Sequence, residues 1–282
     1  NRFETSYGID LAVEKVNPAI VKLRQRRLEI WKEEMDKDPK VRLQLASSYA
    51  SIANYWKYFI GQTEQVKRLK VVDEKRAQEA KFIAWAQGKA EYQNLFNEYE
   101  KIYNDYKEYS THLTYITQGL YGSSAAFIAR GMMDIETANN AGELEKAKPN
   151  IMASLSFRLE AFKETYNANT DPKILAEFLN YFYNDIPKNQ HPEIFKSIVK
   201  STDAQGIKND INTWVNNAYA STWLNNPDKV NEFINNINVE AFKNDPIYQI
   251  TFAIVDNFNK NYAPIVNKFN EKNDILGKAY IR

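Results

Sequence analysis

The sequence predicts an all-α fold: one irregular multi-helix domain over residues 1–282, with two long amphipathic helices. Three observations favour this class. The 282 residues include only nine glycines and nine prolines, the residues that most often interrupt helices. Apolar side chains recur three and four positions apart along most of the chain, which is the spacing of one helix face. No stretch keeps the alternation of apolar and polar residues typical of a half-buried strand, so we expect no substantial sheet.

Charge and composition narrow the function classes. Lys plus Arg number 37 and Asp plus Glu number 36, so the charges balance. This argues against nucleic acid or an anionic membrane as the main partner, since both are bound by net positive surfaces. No segment has the run of about 18 apolar residues that a membrane-spanning helix needs. There is no cysteine, which excludes disulfides and thiolate chemistry and leaves the redox environment undetermined.

Proline and capping residues divide the first third of the chain into helices. Pro18 suits a first helical position, and Asp38 with Pro39 suits a helix cap and the first turn after it. The predicted helices are 18–35, 39–61 and about 73–86, with a further turn or short helix over 63–71.

Extended aromatic stripes predict the two long helices. Between Tyr92 and Ile116, aromatic and aliphatic residues repeat at three and four, which predicts one helix about 40 Å long. The other runs from Pro246 to about Phe269 and contains Pro264, which should kink it. Between the two we expect a short apolar helix, a polar connection over residues 138–149 and a run of shorter helices.

The central helix, 39–61, has two unlike faces. Its apolar stripe comprises Leu45, Tyr49, Ile52, Trp56, Phe59 and Ile60. At about 100° per residue, Asn54 points roughly opposite that stripe, among Ser47, Ala50 and Gly61. Small residues let another surface approach closely, with one amide to meet it. The residues alone leave two interpretations open: tight helix packing around a hydrogen-bonded, buried Asn54, or an interaction surface.

Specific runs of sequence in the first part of the chain resemble a known family. They are Thr5-Ser6-Tyr7-Gly8, Met35–Leu43 and Tyr49–Glu79, the last including Asn54-Tyr55-Trp56-Lys57 and Ile60-Gly61-Gln62. Over roughly the first 90 residues the chain is similar to the inserted helical domain of bacterial dipeptidyl-peptidases seven and eleven. Those enzymes are chymotrypsin-like serine exopeptidases that release dipeptides from free N-termini.

The resemblance implies a function and partners. Residues 1–282 would form the helical cap domain, inserted into a double β-barrel that carries the His-Asp-Ser triad. Asn54 would join barrel residues in binding the substrate's α-ammonium group, a role that suits a side-chain carbonyl acceptor. Tyr55 and Lys57 are further candidates whose roles stay open.

The implied partners are a peptide with a free N-terminus and the parent's own barrel domain. The parent would be periplasmic or secreted and could form a homodimer. An inserted domain should also have its two ends close together.

The chain itself contains no pattern that indicates catalysis, a metal or another cofactor. It has no Walker loop, Gly-x-Ser-x-Gly elbow or His-Glu-x-x-His motif. His112 and His191 are expected to be structural, and Asp36 and Asp38 to form a capped turn. The tyrosines between residues 92 and 109 are interpreted as core, and the charged segment 67–81 as a solvated face. We therefore expect this chain alone to be inactive.

A second function class fits the same composition. A non-enzymatic helical scaffold or adhesion module could bind a protein or glycan through the aromatic faces. Flanking sequence distinguishes the two hypotheses, because only the peptidase has barrel strands with a His and an Asp upstream and a Ser downstream.

Overall fold

The computed structural model describes residues 4–281, except the side chain of Ile281. No β-strand occurs within these residues, and the predicted all-α class is confirmed. The α-helices in chain order are α1 (Ser6–Leu11), α2 (Asn17–Met35), α3 (Pro39–Arg68), α4 (Val71–Ala86), α5 (Leu95–Tyr106), α6 (His112–Thr114), α7 (Ser124–Asn140), α8 (Leu144–Thr165), α9 (Asp171–Asp185), α10 (Phe195–Ile198), α11 (Ala204–Ser221), α12 (Pro227–Asn235), α13 (Glu240–Lys243), α14 (Pro246–Asn261) and α15 (Ala263–Ile281). Short π-helical turns cover Ala12–Val16 and Tyr115–Gly119.

The described chain divides into two compact units. The first unit contains residues 4–22, 54–114 and 258–281, and the second contains residues 23–53 and 115–257. Both boundaries near the amino terminus fall inside helices, one within α2 and one within α3. Each unit has its own core and is described by itself.

The first unit is built around an aromatic cluster on α5. Its buried members are Leu95, Phe96, Tyr99, Ile102 and Tyr103. Residues from both ends of the described chain contact this cluster: Tyr7 stacks on Tyr103 with ring centroids 5.9 Å apart, and Tyr280 meets Phe96 at 5.5 Å. Residues 1–3 and 282 lie outside the described part, but the segments next to them share one core, as the insertion hypothesis requires.

The second unit is centred on α7. Six of its residues are inaccessible to solvent: Ala125, Ala126, Ile128, Ala129, Met132 and Ile135. The small residues among them let α8 pack along α7, and α9 packs against α11 beside this pair. The run of shorter helices predicted for this region is present as α9 to α13.

A buried carboxylate holds the start of α7. Asp171, at the first position of α9, accepts hydrogen bonds from the backbone N–H of Ser124 at 2.6 Å and of Ala125 at 3.2 Å. The hydroxyls of Tyr219 at 2.5 Å and Ser123 at 3.0 Å donate to it as well. Burial raises the pKa of Asp171, while these donors and the positive end of α7 favour its charged form. One side chain thus joins three helices of the unit.

The central helix is longer than predicted. The end expected near Gly61 is wrong, because α3 continues to Arg68 and takes in most of the predicted segment 63–71. Asn17 donates from Nδ2 to Gln62 Oε1 at 3.0 Å and to Thr63 Oγ1 at 3.2 Å, which holds this part of α3. The chain turns only at Lys70, whose φ of 51° ends the helix.

The single long helix predicted from Tyr92 to Ile116 is also wrong. α5 ends at Tyr106, turns occupy residues 107–111, and helix resumes at α6. The Ser110 hydroxyl donates to the Lys107 carbonyl at 2.8 Å, so a side chain competes here for the backbone acceptor.

Aromatic contacts continue across this break because the facing helix is also broken, into α14 and α15. Tyr106 stacks on Phe269 with centroids 4.0 Å apart, and His112 stacks on Tyr262 at 4.5 Å. The kink predicted at Pro264 is a full break, with α14 ending at Asn261 and α15 beginning at Ala263.

The polar connection predicted over residues 138–149 is mostly helical. α7 runs to Asn140 and α8 starts at Leu144, so only residues 141–143 connect them, with Gly142 at a φ of 69°. Polar residues on a solvated helix face give no helix-breaking signal, which explains the error.

The Asp171 network predicts a large effect on stability. Asp171→Ala removes the acceptor of four buried donors, of which the Ser123 and Tyr219 hydroxyls can still bond to each other at 3.1 Å. It should lower the free energy of unfolding by about 3–5 kcal/mol. Asp203→Ala is the matched control, since Asp203 caps α11 from an exposed position and should cost about 1 kcal/mol. Urea denaturation of the three proteins measures both values. Equal losses in the two variants would contradict a special role for the buried carboxylate.

Candidate functional site

Helix α3 (Pro39–Arg68) carries the predicted site residue Asn54. Asp38 caps its start by accepting from the Lys40 backbone N–H at 2.8 Å, and Pro39 occupies the first turn. Asp36 accepts from Lys32 at 2.7 Å and from Arg42 at 2.6 Å, so both carboxylates serve the turn before α3.

The apolar stripe of α3 faces inward, as the spacing predicts. Leu45 is fully buried and packs with Ile30, Trp31 and Ile174 in the second unit. Tyr49, Ile52, Trp56, Phe59 and Ile60 are half-buried. Trp56 lies on this stripe with its indole nitrogen buried.

The opposite face of α3 is exposed. Asn54, Ser47 and Ala50 are exposed, and no atom lies within 4 Å of the point where a Cβ on Gly61 would stand. The Asn54 side chain makes no hydrogen bond to another described residue. The alternative of a buried, hydrogen-bonded Asn54 is therefore not what the structure has.

This outer face is also uncharged over most of its length. No charged residue occurs from Leu43 to Trp56, and Lys57 is the first. Leu43 is 82% exposed and Tyr58 is 57% exposed, so large apolar surface flanks the small residues. We define the outer face of α3 as Leu43, Ser47, Ala50, Asn54, Tyr58 and Gly61.

Tyr58 belongs to this face and was missed from the sequence. It lies about 40° around the helix from Asn54, whereas Tyr55 lies about 100° away. Its hydroxyl accepts from Gln62 Nε2 at 3.4 Å, and Gln62 is in turn held by the buried Asn17 at 3.0 Å. Two successive hydrogen bonds thus anchor an exposed ring one turn from Asn54; the signal in the sequence was the four-residue spacing.

The two histidines lie in aromatic packing. His112 is buried and stacks on Tyr262, with Phe258 at 6.2 Å. His191 is half-buried beside Tyr183 and Phe195, its Nε2 is 2.8 Å from the Ile186 carbonyl oxygen, and burial lowers its pKa. Both rings thus pack against aromatic side chains, as expected of structural histidines.

The tyrosines between residues 92 and 109 mostly serve the core of the first unit. Tyr99 and Tyr103 are buried, and burial raises the pKa of Tyr103 to about 12. In the described part of the chain, no group of three His, Cys, Asp or Glu side chains could hold a metal ion. No described helix is both long and apolar enough to cross a lipid bilayer.

The Peptidase S46 family model matches residues 1–282. Dipeptidyl-peptidase 7 of Porphyromonas gingivalis is 27% identical over 262 residues, which cover 90% of this chain and 35% of that protein. Dipeptidyl-peptidase 7 of Porphyromonas endodontalis is 29% identical over 238 residues, 83% of this chain and 28% of that protein. The Asp/Glu-specific dipeptidyl-peptidase of Flavobacterium psychrophilum is 25% identical over 293 residues, 98% of this chain and 38% of that protein.

The fold is similar to that of a solved structure, Porphyromonas endodontalis DPP11 in complex with the dipeptide Arg-Glu. The TM-score is 0.72 at 18% identity, covering 99% of this chain and 39% of that one. The chain therefore spans less than two fifths of the length of these proteins. The similarity first seen over roughly the first 90 residues extends along nearly the whole sequence. On these matches, the chain belongs to the Peptidase S46 family.

Proposed function

We propose that this chain is the helical substrate-capping domain of a serine dipeptidyl-peptidase that releases dipeptides from free N-termini. The observation that carries the proposal is the outer face of α3, which is exposed, uncharged and centred on an unengaged amide. Family membership and the names of the relatives supply the reaction class. The DPP11 complexes with a dipeptide and with substrate support a peptide ligand.

In this proposal Asn54 binds the amino terminus of the substrate. Its side-chain oxygen accepts a hydrogen bond from the α-ammonium group, and a bond to a charged group contributes roughly 1.5–3 kcal/mol. The small neighbours Ser47, Ala50 and Gly61 let the substrate and a covering surface come close to the helix. Tyr55 and Lys57, both exposed, stand at the two edges of the same region.

The catalytic groups in this proposal belong to a barrel domain encoded elsewhere in the parent protein. The matched relatives are more than twice as long as this chain, which leaves room for such a domain. We propose the barrel as the surface that covers the outer face of α3, and a periplasmic or secreted location for the parent. We also propose that the parent protein forms a homodimer.

This chain alone should not release dipeptides. Both histidines pack against aromatic rings, and His191 Nε2 lies 2.8 Å from a backbone carbonyl oxygen, whereas a triad needs a histidine between a serine and a carboxylate. The measurement is hydrolysis of dipeptidyl fluorogenic substrates by the purified 282-residue chain. Hydrolysis that a serine-directed inhibitor abolishes would mean that this chain carries its own catalytic groups, and would contradict the proposal.

Asn54→Ala in the complete peptidase should lower kcat/KM by about ten- to a hundredfold for substrates with a free N-terminus. The loss should be small for N-acylated substrates, which lack the ammonium group. Asn97→Ala is the matched control, because Asn97 is an exposed asparagine on α5 away from this face. Steady-state kinetics on paired free and acylated substrates measure the difference.

Thermal unfolding of the same variants separates recognition from stability. The exposure of Asn54 predicts melting temperatures close to wild type for both substitutions. A large drop in melting temperature with equal losses on free and acylated substrates would count against the proposed role.

A further inference from the structure

Tyr58 places an aromatic ring beside Asn54 on the outer face of α3. The two residues are four positions apart, which separates them by about 6 Å along the helix axis and about 40° around it. Their Cβ atoms are therefore neighbours, roughly 5–6 Å from each other. Both residues belong to the first unit, and the Tyr58 ring is exposed. A ligand held by the Asn54 amide would thus lie next to this ring.

Two contacts limit the freedom of the Tyr58 side chain. Its hydroxyl accepts from Gln62 Nε2 at 3.4 Å, and its ring meets that of Phe59 edge-on, with centroids 5.3 Å apart. Gln62 Oε1 in turn accepts from Nδ2 of the buried Asn17 at 3.0 Å. A tyrosine has only two side-chain torsions, so a ring with such contacts loses little conformational entropy when a ligand covers it.

The exposed side of α3 changes character on either side of this pair. Glu64, Lys67 and Arg68 are exposed in the last two turns, which is typical of a solvated helix face. Towards the amino end, the next residue of the outer face is Ala50, whose side chain is a methyl group. Tyr58 therefore supplies the large apolar surface next to Asn54 on this face.

The chemistry of a peptide decides which of its side chains can reach Tyr58. The α-ammonium nitrogen and the first side chain are attached to the same carbon atom, whereas the second side chain follows only after the carbonyl carbon and the amide nitrogen. With the ammonium group at Asn54, the first side chain is the one held close to the helix. A leucine or phenylalanine side chain can span the distance to a residue four positions along. Glycine cannot.

The neighbourhood of Asn54 on this face favours an apolar first side chain over a charged one. Neither Asn54 nor Tyr58 carries a charge, so a charged side chain covered there would lose water without gaining a partner. An apolar side chain against the Tyr58 ring removes apolar surface of both groups from water, and two aromatic rings attract each other further.

We propose that Tyr58 is a specificity-determining residue that contacts the side chain of the substrate's N-terminal residue and favours a large apolar side chain there. The role rests on the proposed function, in which Asn54 binds the α-ammonium group. Asn54 then recognises that an amino terminus is present, and Tyr58 selects which residue carries it.

Kinetics of the complete peptidase on a matched substrate series test the role of Tyr58. The fluorogenic dipeptidyl substrates share their second residue and carry glycine, leucine or phenylalanine as the first. Tyr58→Ala should lower kcat/KM about five- to tenfold for leucine and phenylalanine, and by less than about twofold for glycine. Tyr58→Phe keeps the ring and should retain the preference. A similar loss on all three substrates, or no loss on any, would overturn the proposal.

Phe157→Ala is the matched control, because Phe157 is an exposed aromatic residue on a different helix, α8. It should leave the relative kcat/KM values of the three substrates unchanged. Since both rings are exposed, Tyr58→Ala and Phe157→Ala should melt close to wild type, which thermal unfolding measures.

Asn54→Ala on the same series separates this role from the proposed function. It should lower kcat/KM for all three free-amine substrates alike, whatever their first side chain. With that result, an unselective Tyr58→Ala would reject the role of Tyr58 and leave that of Asn54 intact. An unchanged kcat/KM in Asn54→Ala would contradict the binding of the ammonium group by Asn54, and with it the geometry that brings the first side chain to Tyr58.

Discussion

One-sided packing of α3 is the constraint on which the candidate site depends. The helix is held by a single apolar stripe, with Leu45 buried among Ile30, Trp31 and Ile174, and by the hydrogen bonds from Asn17 to Gln62 and Thr63. Because the apolar stripe packs on one side of the helix, the opposite face stays exposed. An exposed face on a regular helix presents the Asn54 amide at a position that the helix geometry defines.

Periodicity predicted the parts of the fold that depend on local pattern. The inward stripe of α3 and the position of Asn54 opposite it follow from spacing. Proline chemistry predicted an interruption at Pro264, although a kink was expected and the structure has a break. The interruption after Tyr106 could not be predicted from spacing, because the same stripe of aromatic residues continues across it. Whether such a stripe belongs to one helix or two depends on the helix that faces it, and sequence spacing carries no information on that partner.

The burial of the Asp171 carboxylate could not be predicted from the sequence for a related reason. Asp171 precedes Pro172 and reads as the start of its own helix, yet its carboxylate caps α7, which lies 47 positions earlier in the chain. Tertiary packing decides the burial of Asp171, and burial makes its carboxylate costly unless specific donors bind it. For Asn54, spacing predicted the position opposite the apolar stripe and left its exposure open, whereas its proposed role rests on the motif.

The neutral character of the outer face of α3 has a physical consequence for the proposed function. Covering a face rich in Lys and Glu would require stripping water from charges, at several kcal/mol for each ion left imperfectly paired. Ser47, Ala50 and Gly61 impose no such cost when another surface closes over them. The α-ammonium group of the substrate is then the principal charge brought against this helix, and in a site that excludes water its interaction with one amide oxygen is strengthened. In the proposed function this helix face therefore contributes to recognition through a single acceptor, since the small neighbours Ser47, Ala50 and Gly61 do not oppose closure.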